Sequence, residues 1–317
     1  MQARSNDNLR IEVVVLLPAF NEEATICQTI ERFRAVLPGS QILVCDNNST
    51  DKTGHFAKQA GATCLKEPRQ GKGFCVRTLF EQAPDADVYV LCDADNTYGL
   101  ENLSSSIQKL LSENYDSAIG RRVYSTPKAE RRGHQGGNQF FRLLTGLITQ
   151  QDIKDPFSGL RLMTRDFVQS INVTSQGFEI ETELNLHGAF LGFHSFEFET
   201  IYSSRPEGSH SKLRTFSDGF RILAKLSNWY RVFFPKRVGI AISSFFIVSG
   251  LILLLRVVDE FFRTGMVTYI PSAIFGIGSL LVGFAFLNTF IILSAIARID
   301  RDLSIYHIKG IKNMRKG

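Results

Sequence analysis

Two long uncharged apolar runs near the end of the chain constrain its folding more than any other feature. Val238 to Leu255 and Val267 to Ala297 contain no Asp, Glu, Lys or Arg. At ~1.5 Å per residue the first approaches the hydrocarbon thickness of a bilayer. The second is longer than it needs to be and must tilt, or begin outside the hydrocarbon. Joined by a loop over Asp259 to Thr264, they predict a hairpin that returns both ends to one side. Lys236 and Arg237 precede it, and Arg298, Arg301, Lys309, Lys312, Arg315 and Lys316 follow, whereas the loop side holds only Arg256 and Arg263. This bias of basic residues places both ends of the hairpin in the cytoplasm. The lengths disfavour the alternative, a hairpin buried inside a water-soluble protein.

Just upstream, Phe220, Leu223, Leu226, Tyr230 and Phe234 recur at helical spacing, with Arg221, Lys225 and Arg231 between them. That pattern predicts a basic amphipathic helix lying in the bilayer interface, against the alternative of a surface helix packed on the preceding domain. The expected organisation is a domain over residues 1–215, an interfacial helix over 216–237, and a membrane hairpin with a basic tail over 238–317.

The first half alternates apolar runs with helical patterns. Strands are predicted over Ile11 to Leu17, Gln41 to Cys45, Ala62 to Leu65, Val88 to Cys92 and Ser117 to Gly120. Helices are predicted over Glu22 to Val36, Asp51 to Ala60, Gly73 to Gln82 and Leu100 to Ser112. Such alternation implies an α/β fold with a mostly parallel sheet covered on both faces, whose ligands bind beyond the carboxyl ends of the strands. Beyond Pro127 the pattern loosens. Helices are read over Arg131 to Gln151 and Gly177 to Gly188, and a strand over Phe193 to Tyr202.

The formal charge of +5 is mild, and the basic residues cluster where the chain turns apolar, which favours a membrane surface over nucleic acid. Five cysteines stand singly, with no CxxC pair, so neither a zinc site nor a disulfide framework is expected. Met1 to Arg10 is polar and lacks the apolar run of a secretory signal, so the domain that follows is expected to stay on the side where it is made.

The residues that carry chemistry sit after three of the predicted strands. Asp93-Ala94-Asp95 offers two hard carboxylates on a tight turn, suited to Mg²⁺ or Mn²⁺ bridging a substrate diphosphate. Asp46-Asn47-Asn48-Ser49-Thr50-Asp51 supplies helix-capping groups and leaves Asp46 to accept hydrogen bonds from a base or ribose. Pro18-Ala19-Phe20-Asn21-Glu22-Glu23 occupies the matching place after the first strand. Arg69-Gln70-Gly71-Lys72-Gly73 brings two cations to a helix start, suiting phosphate, though its spacing fits neither a Walker motif nor a dinucleotide fingerprint.

In this order the motifs resemble family 2 glycosyltransferases of the GT-A fold. Asp155-Pro156-Phe157-Ser158-Gly159-Leu160-Arg161 and Arg205-Pro206-Glu207-Gly208-Ser209-His210-Ser211-Lys212 look like the polyprenyl-phosphate glycosyltransferase branch. That branch includes dolichol-phosphate mannose synthases and bacterial undecaprenyl-phosphate glucosyltransferases. The resemblance runs from Ile11 to Lys212, and the C-terminal hairpin is similar to that of bacterial members. It implies that Pro18, Phe20, Glu22 and Asp46 contact the nucleoside, that Asp93 and Asp95 hold the metal, and that Arg205 and Lys212 approach the diphosphate or acceptor phosphate. Lys72 joins them at the phosphates. Arg121, Arg122, Arg131 and Arg132 fall where the family places acceptor-phosphate arginines, and Asp155 is assigned to orientation or to base catalysis. Three departures stand out: Asn47 for a second Asp, Phe20 for Tyr, and Thr97 for a Gln.

The activity so implied is inverting transfer from a nucleotide-sugar, UDP-glucose first, to a polyprenyl phosphate, undecaprenyl phosphate first, on the cytoplasmic face of an inner membrane. Partners would be donor, lipid acceptor and membrane, with no nucleic acid and with room for a homo-oligomer. A processive polysaccharide synthase is the nearest alternative, but Trp229 lacks the Gln-x-x-Arg-Trp context of those enzymes. A catalytically silent nucleotide-binding scaffold is the other, and intact Asp93, Asp95 and Arg205 count against it.

Overall fold

A computed structural model describes residues 11–125, 135–206 and 215–314. In chain order the first half holds β1 (Val13–Ala19), α1 (Ile26–Val36), β2 (Gln41–Asp46), α2 (Thr53–Gln59), β3 (Thr63–Lys66), α3 (Lys72–Gln82), β4 (Val88–Leu91), α4 (Leu103–Ser112) and β5 (Ser117–Tyr124). There follow α5 (Gln135–Thr149), β6 (Arg161–Thr164), α6 (Arg165–Ser170), α7 (Ile180–Leu191), β7 (Ser195–Tyr202), α8 (Thr215–Phe233), α9 (Pro235–Thr264) and α10 (Ile270–Met314).

The seven strands form one sheet in the order β3-β2-β1-β4-β6-β5-β7. β1 pairs in parallel with β2 and β4, β2 with β3, and β5 with β7, whereas β6 runs antiparallel to both β4 and β5. This is the mixed, mostly parallel sheet expected of a GT-A fold. β4 is buried along its whole length and β1 along most of it, as unbroken runs of Val and Leu require when helices cover both faces. α1 seats Ile26, Ile30 and Phe33 on the sheet and α4 seats Leu103, Ile107 and Leu110, each at helical spacing.

Several boundaries differ from the sequence expectation. The helix read from Glu22 begins at Ile26, because Asn21 at φ 51° turns the chain sharply after β1. β5 runs on through Arg121 to Tyr124, held by its pairing with β7. β6 and α6 had no counterpart. The hairpin loop read at Asp259 to Thr264 is helical; α9 ends instead at Gly265, at φ 70°, whose N–H caps the Phe261 carbonyl at 2.8 Å.

The chain divides into two compact units, one reaching Leu226 and one from Ser227 to Gly310. In the first unit, α8 buries Ile222 and Leu226 but leaves Phe220 exposed. α5 buries Ile148 together with Thr145 and Thr149, while Phe140, Leu143 and Leu147 face outward. In the second unit α9 and α10 pack through small residues, Gly250 against Gly276 and Gly283 against Ser243 and Ile247. Ser249 and Ser279 bond across that seam at 3.0 Å. Both helices are long and apolar enough to cross a membrane, and most of their apolar side chains face outward, unlike those of a buried core helix.

Candidate active site

The open ends of β1, β2 and β4 lie side by side, with Pro18 in register with Cys45 and Ala19 with Asp46. Each strand is followed by an asparagine in the left-handed region: Asn21, Asn48 and Asn96 at φ 51°, 59° and 57°. Asparagine tolerates that conformation better than most residues, so each of the three turns can change direction sharply. Asp46 accepts the Ser49 N–H at 3.0 Å, and the Glu22 N–H donates to Thr53 Oγ1 at 2.8 Å. Pro18, Phe20 and Asp46 are half-buried at this edge.

Asn47 explains one departure from the family pattern. Its Nδ2 donates to the carbonyls of Arg69 at 2.7 Å and Glu67 at 3.3 Å, and its Oδ1 accepts the Gly71 N–H at 2.7 Å. An aspartate of the same shape has no donors for those carbonyls. Asn47 thus ties β2 to the turn that carries Lys72.

Asp93-Ala94-Asp95 follows β4. α1 holds the middle of the motif: Thr25 Oγ1 and Thr29 Oγ1 donate to the Ala94 carbonyl at 2.9 and 3.2 Å. Asp93 forms an ion pair with Lys72 Nζ, which also contacts Glu181 at 2.5 Å. Asp95 pairs with Arg205 at 2.6 Å and accepts Thr97 Oγ1–H at 2.6 Å, while Arg205 also lies 3.5 Å from Glu22. Thr97, the third departure, therefore orients Asp95. Burial would raise the Asp93 carboxyl, but Lys72 overrides it and holds Asp93 below the usual carboxylate range. Burial, and then the charge of Asp93, push Asp95 up against the pull of Arg205. Burial would lower the Lys72 ammonium, yet Asp93 and Glu181 outweigh it and raise it.

A second charged pair closes the far wall. Arg122 on β5 donates to both oxygens of Asp155, from Nε at 2.8 Å and Nη2 at 2.7 Å, and its own N–H reaches Asp155 at 3.0 Å. Its guanidinium stacks 5.4 Å from the Tyr202 ring centre. The Asp155–Leu160 loop butts directly onto the acidic motif. A methyl group on Gly159 would lie 2.4 Å from Asp93 Oδ2, and the Gly159 N–H donates to the Tyr98 hydroxyl at 2.7 Å. Arg161 is buried beneath this loop, bonded to Asn185 Oδ1 at 2.6 Å and to the carbonyls of Pro156, Ser158 and Glu181.

The structure therefore pairs Lys72 with Asp93, and Arg205 with Asp95 and Glu22, on one short motif, with Arg122 and Asp155 beside them. Arg121 does not join: it pairs with Glu199 on the exposed side of the β5–β7 ladder. Arg131, Arg132, His134, His210 and Lys212 lie outside the described residues. Glu181, Tyr98 and Tyr202 were missed. Glu179, Glu181 and Glu183 alternate near the start of one helix, and nothing in the sequence distinguishes the one that meets Lys72.

Residues 14–171 match the model of the family described as Glycosyl transferase family 2. The glycosyltransferase AglJ of Haloferax volcanii is 34% identical over 68% of this chain and 70% of its own length. A dolichyl-phosphate hexose transferase of the same organism is 27% identical over 67% and 90%. The dolichol-phosphate mannosyltransferase of Pyrococcus furiosus is 25% identical over 69% and 64%. Among solved structures, glucosyl-3-phosphoglycerate synthase of Mycobacterium tuberculosis, in complex with Mg²⁺ and uridine-diphosphate, superposes with a TM-score of 0.55. It is 22% identical over 69% of this chain and 79% of that one, a likeness that speaks for the fold.

Proposed function

The chain belongs to glycosyl transferase family 2, and on that premise we propose that it moves a sugar from a nucleotide-sugar to a polyprenyl phosphate at a membrane surface. The observation that carries this reading is the acidic pair Asp93 and Asp95 at the end of β4, faced by Lys72 and Arg205 and flanked by Arg122. Two anionic substrates can meet only where positive charge offsets their repulsion. Lys72, Arg205 and Arg122 are the cations at hand, each now paired with a carboxylate, and a divalent ion held by Asp93 and Asp95 would supply the charge that those pairs cancel.

The carboxylates suit Mg²⁺ or Mn²⁺. Such ions take one or two protein carboxylates and complete their shell with substrate phosphate. Among the described residues no three His, Cys, Asp or Glu are grouped to hold a metal by themselves. When bound, it would neutralise charge on the departing nucleoside diphosphate. Asp93 and Asp95 would hold it, and Lys72 and Arg205, now engaged with these carboxylates, would turn to the donor phosphates. Pro18, Phe20, Glu22 and Asp46 line the strand ends for the nucleoside.

For the acceptor, a phosphate monoester with a second pKa of about 6 is largely dianionic at neutral pH and hardly needs a base. Asp155 gives both oxygens to Arg122, so we assign it to orienting that arginine rather than to proton abstraction. Arg131, Arg132 and Lys212 are assigned to the acceptor phosphate by the family resemblance, and Arg121 would have to leave Glu199 to join them. The outward apolar faces of α5 and α8 and the two candidate spans support an acceptor presented by a bilayer. The charge bias around the spans supports a cytoplasmic active site. UDP-glucose is the preferred donor, ahead of UDP-N-acetylglucosamine and GDP-mannose. Incubating membranes that contain the protein with each radiolabelled donor tests this: one label should pass into the organic extract. Label recovered only as free sugar or in a water-soluble polymer would overturn the reading.

A further inference from the structure

α7 carries two buried glutamates that each hold a lysine from elsewhere in the first unit. Glu181 meets Lys72, as described above. Glu183, 1% exposed, accepts Lys225 Nζ of α8 at 2.8 Å. Its oxygens also accept the Thr174 N–H at 3.1 Å, the Ser175 N–H at 2.7 Å and the Thr174 hydroxyl, and Lys225 donates to Thr174 Oγ1 at 2.7 Å. Four donors on one carboxylate fix the loop before α7. Burial would raise the Glu183 carboxyl, but Lys225, Ser175 and Thr174 hold it below its usual range.

That loop shapes the turn that carries Lys72. The Gln176 carbonyl accepts the Gly73 N–H at 3.0 Å. Methyl groups on Gly71 and Gly73 would lie 2.1 Å from the Gln176 carbonyl oxygen and 2.2 Å from that of Ser175. Only glycine, at φ 145° for Gly71, permits so close an approach of two backbones. A continuous chain of contacts therefore runs from Lys225 through Glu183 and residues 174–176 to Gly71–Gly73, and from there through Lys72 to Asp93. We propose that the Lys225–Glu183 pair is a positioning contact through which α8 sets the geometry of the turn bearing Lys72.

The choice of an ion pair supports this. Ile222 and Leu226 already seat α8 by burial, and a buried ion pair adds little net stability over apolar packing. What the pair adds is a fixed register between α8 and the loop. The consequence for donor binding rests on the reading of Lys72 and Asp93 as donor-site residues; the coupling itself does not.

Hydrogen exchange on the full-length protein in detergent micelles tests the coupling. In Lys225→Met, amides of residues 71–76 and 174–177 should exchange faster, on the order of tenfold. Amides of β1 and β4 should keep their protection, and Lys225→Arg should restore the loop. Thr174→Val, which keeps both charges, should shift the same amides in the same direction and serves if Lys225→Met does not fold. Unchanged exchange at 71–76, or an equal rise throughout β1 and β4, would overturn the proposal. A weakened KM for donor at unchanged kcat in Lys225→Met would extend the effect to the donor site. Local acceleration in a protein that binds no nucleotide-sugar would uphold the coupling while removing the donor-site reading.

Discussion

Asp93 and Asp95 were legible because both stand in one short motif directly after an apolar strand, so neither needed tertiary information to be found. Their partners did. Lys72 and Arg205 lie far apart in sequence, and only the fold brings one to Asp93 and the other to Asp95. Asn47 shows the same limit: its amide serves carbonyls that a sequence cannot place. Asp93→Asn or Asp95→Asn should abolish transfer with the circular dichroism spectrum unchanged, and EDTA should do the same to the wild type. Full turnover in chelator would contradict the metal assignment. A second residue, just before the turn that carries Lys72, gives a pH test. Glu67, buried against Arg69 and Thr78, has its pKa lowered from 4.5 to about 2, first by the hydrogen bonds from Arg69. A depressed carboxylate adds stability above its unfolded value and loses it as pH falls through the folded value. Between about pH 4.5 and 2 the wild type should therefore lose stability more steeply than Glu67→Gln. Equal slopes in acid unfolding curves would show that the pair contributes nothing.

The strands β1 to β5 and helices α1 to α4 could be read from periodicity because each is a local apolar pattern. β6 could not. It has only four residues and begins with Arg161, and a charge argues against a central, buried strand. The fold resolves the conflict by surrounding that guanidinium with three carbonyls and Asn185, which take four of its five donors. Arg161→Lys should then destabilise the protein by about 2 kcal/mol or more, since one ammonium cannot span four acceptors around a planar fork. Thermal unfolding reads this directly, and an unchanged Tm would contradict the account. α8 was read correctly as a helix with an apolar face, but Lys225, counted among its basic surface residues, turns inward to Glu183. Its sequence pattern shows only that a charge recurs, not which carboxylate awaits it.

Across the whole molecule, the two candidate spans were the most readable feature, since length and hydropathy suffice to find them. Their boundary was misplaced because Asp259 and Arg263 look like loop residues and instead pair along one helix turn. The bias of basic residues gives a topology test: a reporter at Gly317 should respond as cytoplasmic and one inserted after Gly265 as external. The reverse would set the active site away from cytosolic nucleotide-sugars. The central claim is that the nucleophile is a lipid phosphate. Purified protein supplied with its donor and either a polyprenyl phosphate or the matching free polyprenol tests that claim most directly. Transfer to the phosphate alone, giving an organic-soluble sugar phosphodiester labile to mild acid, is the predicted result; equal transfer to the free alcohol would contradict it.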